Sequence, residues 1–166
     1  FMKKKLLSIL LTAAMATTVV SGTALIVNAD SEGDLSGKTF AIVIRNSGNP
    51  YAEKEADGFK QVIEAAGGEC IIKSPEKATA DAQIPLIQSL ISQEVDAIAI
   101  ASNDVNALTA CLQDAMDEGI KVLSLDSNVV PEARQTFVNQ AGVTEIGQAL
   151  ADAVYDISGG SGEFAI

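Results

Sequence analysis

Residues 95–125 read VDAIAIASNDVNALTACLQDAMDEGIKVLSL. The run Val95-Asp96-Ala97-Ile98-Ala99-Ile100 is apolar and of strand length, and it opens into a polar loop from Ala101 to Asp104. From there a helical pattern continues to Glu118, with Asp104 as its N-terminal cap and Gly119 as its stop. Ile120-Lys121-Val122-Leu123-Ser124-Leu125 is a second apolar run. Two strands that are apolar throughout, joined by an amphipathic helix, form a unit of a parallel sheet covered on both faces.

The same alternation extends in both directions. Upstream, Thr39-Phe40-Ala41-Ile42-Val43-Ile44 reads as a strand. Tyr51 to Ala66 reads as a helix, because Ala52, Ala56, Phe59, Ile63 and Ala66 recur at three-to-four spacing and Gly67-Gly68 ends the pattern. Glu69 to Lys73 is a strand, and Asp81 to Ser92 a helix with Ile84, Ile87, Leu90 and Ile91 facing inward. Pro85 falls near its first turn, where a missing N–H costs least. Downstream, Gln135 to Val138 is a short strand, and Thr144 to Ile157 a helix carrying Ile146, Leu150, Val154 and Ile157. The Gly-rich turn Ser158 to Gly162 leads to Glu163-Phe164-Ala165-Ile166, which reads as the start of another strand. Right-handed crossovers between such strands build an α/β fold, a doubly wound parallel sheet with flanking helices.

The amino end has a different character. Phe1 precedes Met2 and is set aside; Lys3, Lys4 and Lys5 then lead into an apolar run from Leu6 to Val27 that closes on Val27-Asn28-Ala29. A positive start, an apolar stretch and small residues at its end make residues 1–29 a secretory signal peptide, with cleavage expected after Ala29. The many Ala, Thr and Ser residues of the run make it a poor permanent span. No cysteine ends it, so the usual lipoprotein attachment is not provided for. Residues 30–37 read as a linker. The sequence carries a formal charge of −11, and loss of the three lysines with no acid takes it to −14. Nucleic acid and anionic membrane would both repel such a chain. A soluble, periplasmic or otherwise extracytoplasmic protein fits, with no stable membrane insertion after cleavage.

Catalytic and metal chemistry find little support. There is no histidine, so most acid–base and triad schemes lose their usual base. No metal-ligand spacing, phosphate-binding loop or nucleophile elbow occurs. No catalytic residue, metal or cofactor is therefore expected. Cys70 lies in a strand pattern and Cys111 in a helical one, and two separate buried thiols are expected.

In doubly wound sheets ligands bind beyond the carboxyl ends of the strands. That rule singles out three loops: Arg45 to Pro50, Ala101 to Asp104 with Ser102 and Asn103, and Asp126 to Val130 with Ser127. Arg45 offers a fixed fork of donors, Asn46 and Asn49 a donor and an acceptor each, Tyr51 a ring face, and Asp126 a carboxylate. A polyhydroxylated ligand needs this set: paired donors and acceptors for its hydroxyls and a flat surface for its C–H face. The same residues have structural readings. Asn, Ser, Gly and Pro after a strand make turns, an Asp at a strand end caps the backbone of the next turn, and Arg45 suits a solvated surface. Arg45 and Asp126 taken together weigh toward binding, while Asn46, Asn49 and Tyr51 taken singly stay open between the two readings. Asp96 reads as a turn or surface acid.

Four stretches carry a family resemblance. Ile44-Arg45-Asn46-Ser47-Gly48-Asn49-Pro50-Tyr51 resembles a first loop that commonly runs Pro-Lys-x-x-Gly-Asn-Pro-Phe/Tyr. Val95 to Ile100 resembles a third-strand signature, and Val122-Leu123-Ser124-Leu125-Asp126-Ser127 a strand ending in a ligand-binding aspartate. Phe137-Val138-Asn139-Gln140-Ala141, followed by Ile146-Gly147, resembles the stretch that crosses to a second lobe. Together they resemble the type I periplasmic sugar-binding proteins of ABC transporters, nearest the rhamnose-binding and autoinducer-2-binding branch, over about Lys38 to Ile166.

The resemblance implies a two-lobed receptor that closes on a sugar-like ligand and delivers it to a membrane permease. It implies an N-terminal lobe over 38–134 and a crossover with the start of a second lobe over 135–166, so that the second lobe is largely missing and the sequence is a piece of a longer one. It also implies ligand contacts from Asp126, Asn139 and Gln140. The first loop departs from the autoinducer-2 branch, placing Arg45 where that branch supplies a lysine. The alternatives are a chemotaxis or quorum-signalling receptor, a sugar-responsive regulator and a sugar-active enzyme. The regulator would need a helix-turn-helix and a basic patch, and the enzyme finds no catalytic inventory.

Overall fold

Each apolar run whose side chains alternate between two covered faces becomes a strand, and five do so. The computed structural model describes residues 33–163. The strands are β1 (Thr39–Val43), β2 (Glu69–Lys73), β3 (Ala97–Ile100), β4 (Lys121–Leu125) and β5 (Thr136–Val138). The helices are α1 (Pro50–Ala65), α2 (Ala80–Ser92), α3 (Thr109–Asp117) and α4 (Val143–Ser158), and a 3-10 turn covers Pro131–Ala133. All strand pairs are parallel, in the order β2-β1-β3-β4-β5. The expected doubly wound sheet is thus the observed one. The chain winds outward from β1 to β2, then returns past β1 to β3 and continues the other way. The order therefore reverses between β1 and β3, where such sheets open a crevice at their carboxyl ends.

The two faces of β1 show how the sheet is covered. Ala41 and Val43 join Ile98, Ile100 and Val122 against Ile87, Leu90, Leu108 and Leu112 of the α2–α3 side. Ile42 and Ile44 join Ala99 and Leu125 against Ala52, Ala56 and Phe59 of α1. Burying each of the valine, leucine and isoleucine side chains among them stabilises by about 1.5–3 kcal/mol. Cys111 is buried on α3 and Cys70 half-buried on β2, and both thiols are free. Cys70 is therefore less enclosed than its apolar strand suggested, because β2 is an edge strand.

Several boundaries depart from the sequence reading, each for a local reason. α3 begins at Thr109 rather than near Asp104. The Asp104 carboxylate does accept backbone N–H groups, from Asn106 and Ala107 at 2.8 Å each, but it closes a turn ahead of the helix. These bonds hold its pKa below the ordinary carboxylate value, Ala107 contributing most. Pro85 is the sixth residue of α2, deeper than its first turn. Residues 34–37, read as linker, include a turn at Ser36 and Gly37, and the Leu35 N–H donates to the Ala66 carbonyl at 2.9 Å. β5 pairs with β4, so the sheet continues to Val138, past the boundary expected at Arg134. The apolar residues of α4, including Ile146, Leu150 and Val154, are exposed. The signal peptide at 1–29 and most of the strand expected at 163–166 lie outside the described residues. Among the described residues no helix is long and apolar enough to cross a membrane.

Candidate functional site

The carboxyl ends of β1, β3 and β4 bring three loops to one end of the sheet. Ladder bonds hold their bases: the Ala101 N–H donates to the Val43 carbonyl at 3.0 Å, and the Ser102 N–H to the Ser127 carbonyl at 3.2 Å. Arg45 leaves β1 and points across the sheet. Its Nε donates to Asn103 Oδ1 at 3.2 Å and its Nη1 to Ser127 Oγ at 3.0 Å. Asn103 returns a bond, its Nδ2 donating to the Arg45 carbonyl at 2.7 Å. Ser127 Oγ in turn donates to Asp126 Oδ2 at 3.2 Å. The other Asp126 oxygen, Oδ1, accepts from Gln140 Nε2 at 2.9 Å, and the same nitrogen donates to the Tyr51 hydroxyl at 2.8 Å. Six residues from four separate segments thus form one hydrogen-bonded chain: Asn103, Arg45, Ser127, Asp126, Gln140 and Tyr51.

Asp126 holds this geometry in a backbone conformation that few side chains accept. Its φ is +56°, in the left-handed region that aspartate and asparagine tolerate better than other residues with a Cβ. The turn lets the chain leave β4 abruptly, so that Asp126 and Ser127 both stay at the strand end.

The remaining sequence candidates divide. Asn49 is the N-cap of α1, its Oδ1 accepting from Tyr51 N at 3.1 Å and Ala52 N at 3.4 Å, so its carbonyl oxygen has a structural partner. Asn46 Nδ2 donates to the neighbouring Ser47 carbonyl at 2.8 Å. Ser102 is buried, with its hydroxyl turned into its own loop toward the Asp104 backbone. Asn139 is exposed beside Gln140. Asp96 sits at the opposite end of the sheet, paired with Lys38 at 2.7 Å and accepting the Thr39 N–H at 2.8 Å. Its pKa is lowered, first by the Lys38 hydrogen bond and then by Thr39. It is the structural acid that the sequence suggested.

Two residues escaped the sequence reading. Gln83 lies on the buried face of α2 and is wholly inaccessible. Its signal was available: a polar residue at the position one turn before Ile87 on an otherwise apolar stripe. Glu55 lies one turn after Tyr51 on α1, and its Oε2 is buried without a hydrogen-bond partner. Burial raises its pKa, and the negative charge of Asp126 raises it further. Spacing alone puts Glu55 on the same helix face as Tyr51, but gives no hint of Asp126. Arg45, by contrast, bonds neutral acceptors, and the ion pairs of the described residues, Lys38–Asp96 and Lys60–Glu64, do not involve it.

The arrangement is suited to holding a neutral polar molecule by hydrogen bonds. Among the described residues no cluster of three or more His, Cys, Asp or Glu is placed to hold a metal ion. A concavity lies at the amino ends of the strands, between Leu35, Lys38, Phe40 and Lys121, and none of the three loops borders it.

Residues 40–166 match the model of a family described as the periplasmic binding protein domain. The chain belongs to that family. Solved periplasmic binding proteins share the architecture. An ABC transporter solute binding protein from Clostridium phytofermentas with bound L-rhamnose is 57% identical, with a TM-score of 0.72, over 75% of this chain and 39% of its own. LsrB from Clostridium saccharobutylicum in complex with AI-2 is 28% identical, with a TM-score of 0.67, over 71% of this chain and 36% of its own. Among curated proteins, a D-ribose/D-allose-binding protein of Pseudomonas aeruginosa is 28% identical over 121 residues, 68% of this chain and 35% of its own length. The chain therefore spans a little over a third of the length of each of these proteins. The family is one of solute-binding proteins, and its placement is extracytoplasmic.

Proposed function

We propose that this chain is the ligand-gripping lobe of an extracytoplasmic solute-binding protein that captures a neutral sugar or sugar-like molecule, of the rhamnose or autoinducer-2 type, and passes it to an ABC transporter permease. The observation that carries this reading is the continuous chain Asn103–Arg45–Ser127–Asp126–Gln140–Tyr51 at the carboxyl ends of β1, β3 and β4. It alternates donors and acceptors, as the hydroxyls of a sugar require. Arg45 supplies donors, Asp126 takes two hydroxyl or amide protons, and the exposed Tyr51 ring offers a face for C–H groups. Asn46, Asn49, Ser102, Ser127, Asn139 and Gln140 complete the proposed lining. Asn49, Ser102 and Ser127 act chiefly by holding the loops.

In this reading the first lobe runs from Lys38 through β5 to Val138, and the residues after it carry the chain toward a second lobe. Residues 1–29 direct export, with cleavage after Ala29. On the same reading the ligand leaves chemically unchanged. The high identity to the rhamnose-bound protein supports L-rhamnose as the first compound to try. The test is a thermal-shift and calorimetric screen of the full-length mature protein against L-rhamnose, other monosaccharides and AI-2. A ligand at a thousand times its Kd stabilises by about 4 kcal/mol. A saturable shift with one compound, weakened in Arg45→Ala, supports the proposal, and no shift with any of them refutes it.

A further inference from the structure

Gln83 belongs to α2, on the far side of the sheet from α1, and its side chain is 0% exposed. A buried primary amide must find partners for two donors and an acceptor or destabilise the fold. Gln83 finds them in the two loops that carry the ligand site. Its Nε2 donates to the Ala101 carbonyl at 2.8 Å and to the Ile44 carbonyl at 3.2 Å. Its Oε1 accepts the Asn103 N–H at 2.9 Å. Ile44 is the last residue before Arg45, and Ala101 and Asn103 flank Ser102 in the loop after β3. The amide thus stands where the β1–β3 ladder stops, bridging the two strand ends through a side chain.

We propose that Gln83 is a positioning residue for the ligand site, fixing the Arg45 guanidinium through Asn103 without touching the ligand itself. The path is short. Gln83 fixes the Asn103 backbone, and the Asn103 side chain both accepts from Arg45 Nε and donates to the Arg45 carbonyl. Arg45 then reaches Ser127 and, through it, Asp126. An arginine on a loop is free to sample many rotamers, and holding one of them before the ligand arrives removes that cost from binding. The inference rests on the proposed sugar site, and it adds a residue that sets the affinity of that site from behind the sheet.

A purely structural amide would move stability alone, so the test reads Arg45 directly. In the full-length ¹⁵N-labelled protein, the Arg45 Nε–Hε resonance is identified by its loss in Arg45→Lys. Gln83→Met, close in volume and without hydrogen-bonding groups, is expected to move that resonance toward the position of an unstructured arginine. L-rhamnose affinity is expected to fall about tenfold in Gln83→Met, yet by no more than about twofold when the change is added to Arg45→Ala, because coupled residues are not additive. An unmoved Arg45 resonance, or the same fold-loss in both backgrounds, overturns the proposal. If Gln83→Met does not fold, the wild-type Gln83 side-chain amide protons decide: L-rhamnose must shift them although no ligand can reach them, and their indifference to saturating sugar overturns the idea. A wild-type protein that ignores L-rhamnose counts against the rhamnose reading of function, and the Arg45 resonance in Gln83→Met then decides the positioning role alone.

Discussion

Replacing Asp126 with three different residues separates its two jobs, because each replacement removes a different one. Its backbone is left-handed, with φ +56°, and its carboxylate accepts from Gln140 and Ser127. Alanine removes the carboxylate and also resists this conformation, at about 1–2 kcal/mol. Glycine removes the carboxylate but adopts the backbone freely. Asparagine keeps the conformation and one acceptor, and loses the charge. Each hydrogen bond adds about 1 kcal/mol net, lost equally in the alanine and glycine variants, so the difference between those two isolates the backbone. Asp126→Gly should therefore be more stable than Asp126→Ala by about 1 kcal/mol, a gap of roughly 2–4 °C in Tm for a chain of this size. Binding should follow another order, with Asp126→Asn weakened and both Asp126→Ala and Asp126→Gly weakest. Differential scanning calorimetry and a ligand titration on the same samples read both orders. Equal Tm values for the alanine and glycine variants would refute the conformational argument. A glycine variant that binds like wild type would refute the assignment of Asp126 as the ligand-facing carboxylate.

The same geometry sets two further outcomes. The raised pKa of Glu55, from burial and then from the charge of Asp126, means that the folded state holds its proton more tightly than the unfolded state. Stability is then lost as pH rises above the ordinary value of 4.5 toward the folded pKa. Glu55→Gln should match the wild-type Tm near pH 4 and gain on it as pH rises through the folded pKa of Glu55, with a constant gap above it, and parallel melting curves from pH 4 to 7 would contradict this. Asn49→Ala should cost about 1 kcal/mol through loss of the α1 cap, while Asn49→Ser or Asn49→Asp recovers most of it. Urea titration measures all three, and an alanine variant as stable as wild type would remove Asn49 from its capping role.

The sheet was legible because its strands are apolar on both faces and three of its helices, α1, α3 and α4, stop at or just before a glycine. β2 lies where Gly67-Gly68 and Ser74-Pro75 bracket it. The strand-end rule singled out Arg45 and Asp126, and hydrogen bonds join them through Ser127. What sequence could not decide was which partner each polar group takes. Asn49 looks alike as a ligand donor and as a helix cap, and only the position of the α1 amides separates the two. Asp104 looks alike as a helix cap and as a turn closure. Gln83 and Glu55 depend on residues distant in the chain, Ile44, Ala101 and Asn103 for one and Asp126 for the other, and no local pattern records such a pairing.

The last ladder bonds of the sheet, from Ala101 to Val43 and from Ile44 to Lys73, join backbone to backbone at the strand ends. The Arg45 and Tyr51 side chains take no part in those bonds. Exchanging Arg45 or Tyr51 alters the surface met by a visiting molecule while every backbone bond between strands stays in place. Side chains at the three strand ends can therefore be exchanged without reopening the question of how the sheet is held together.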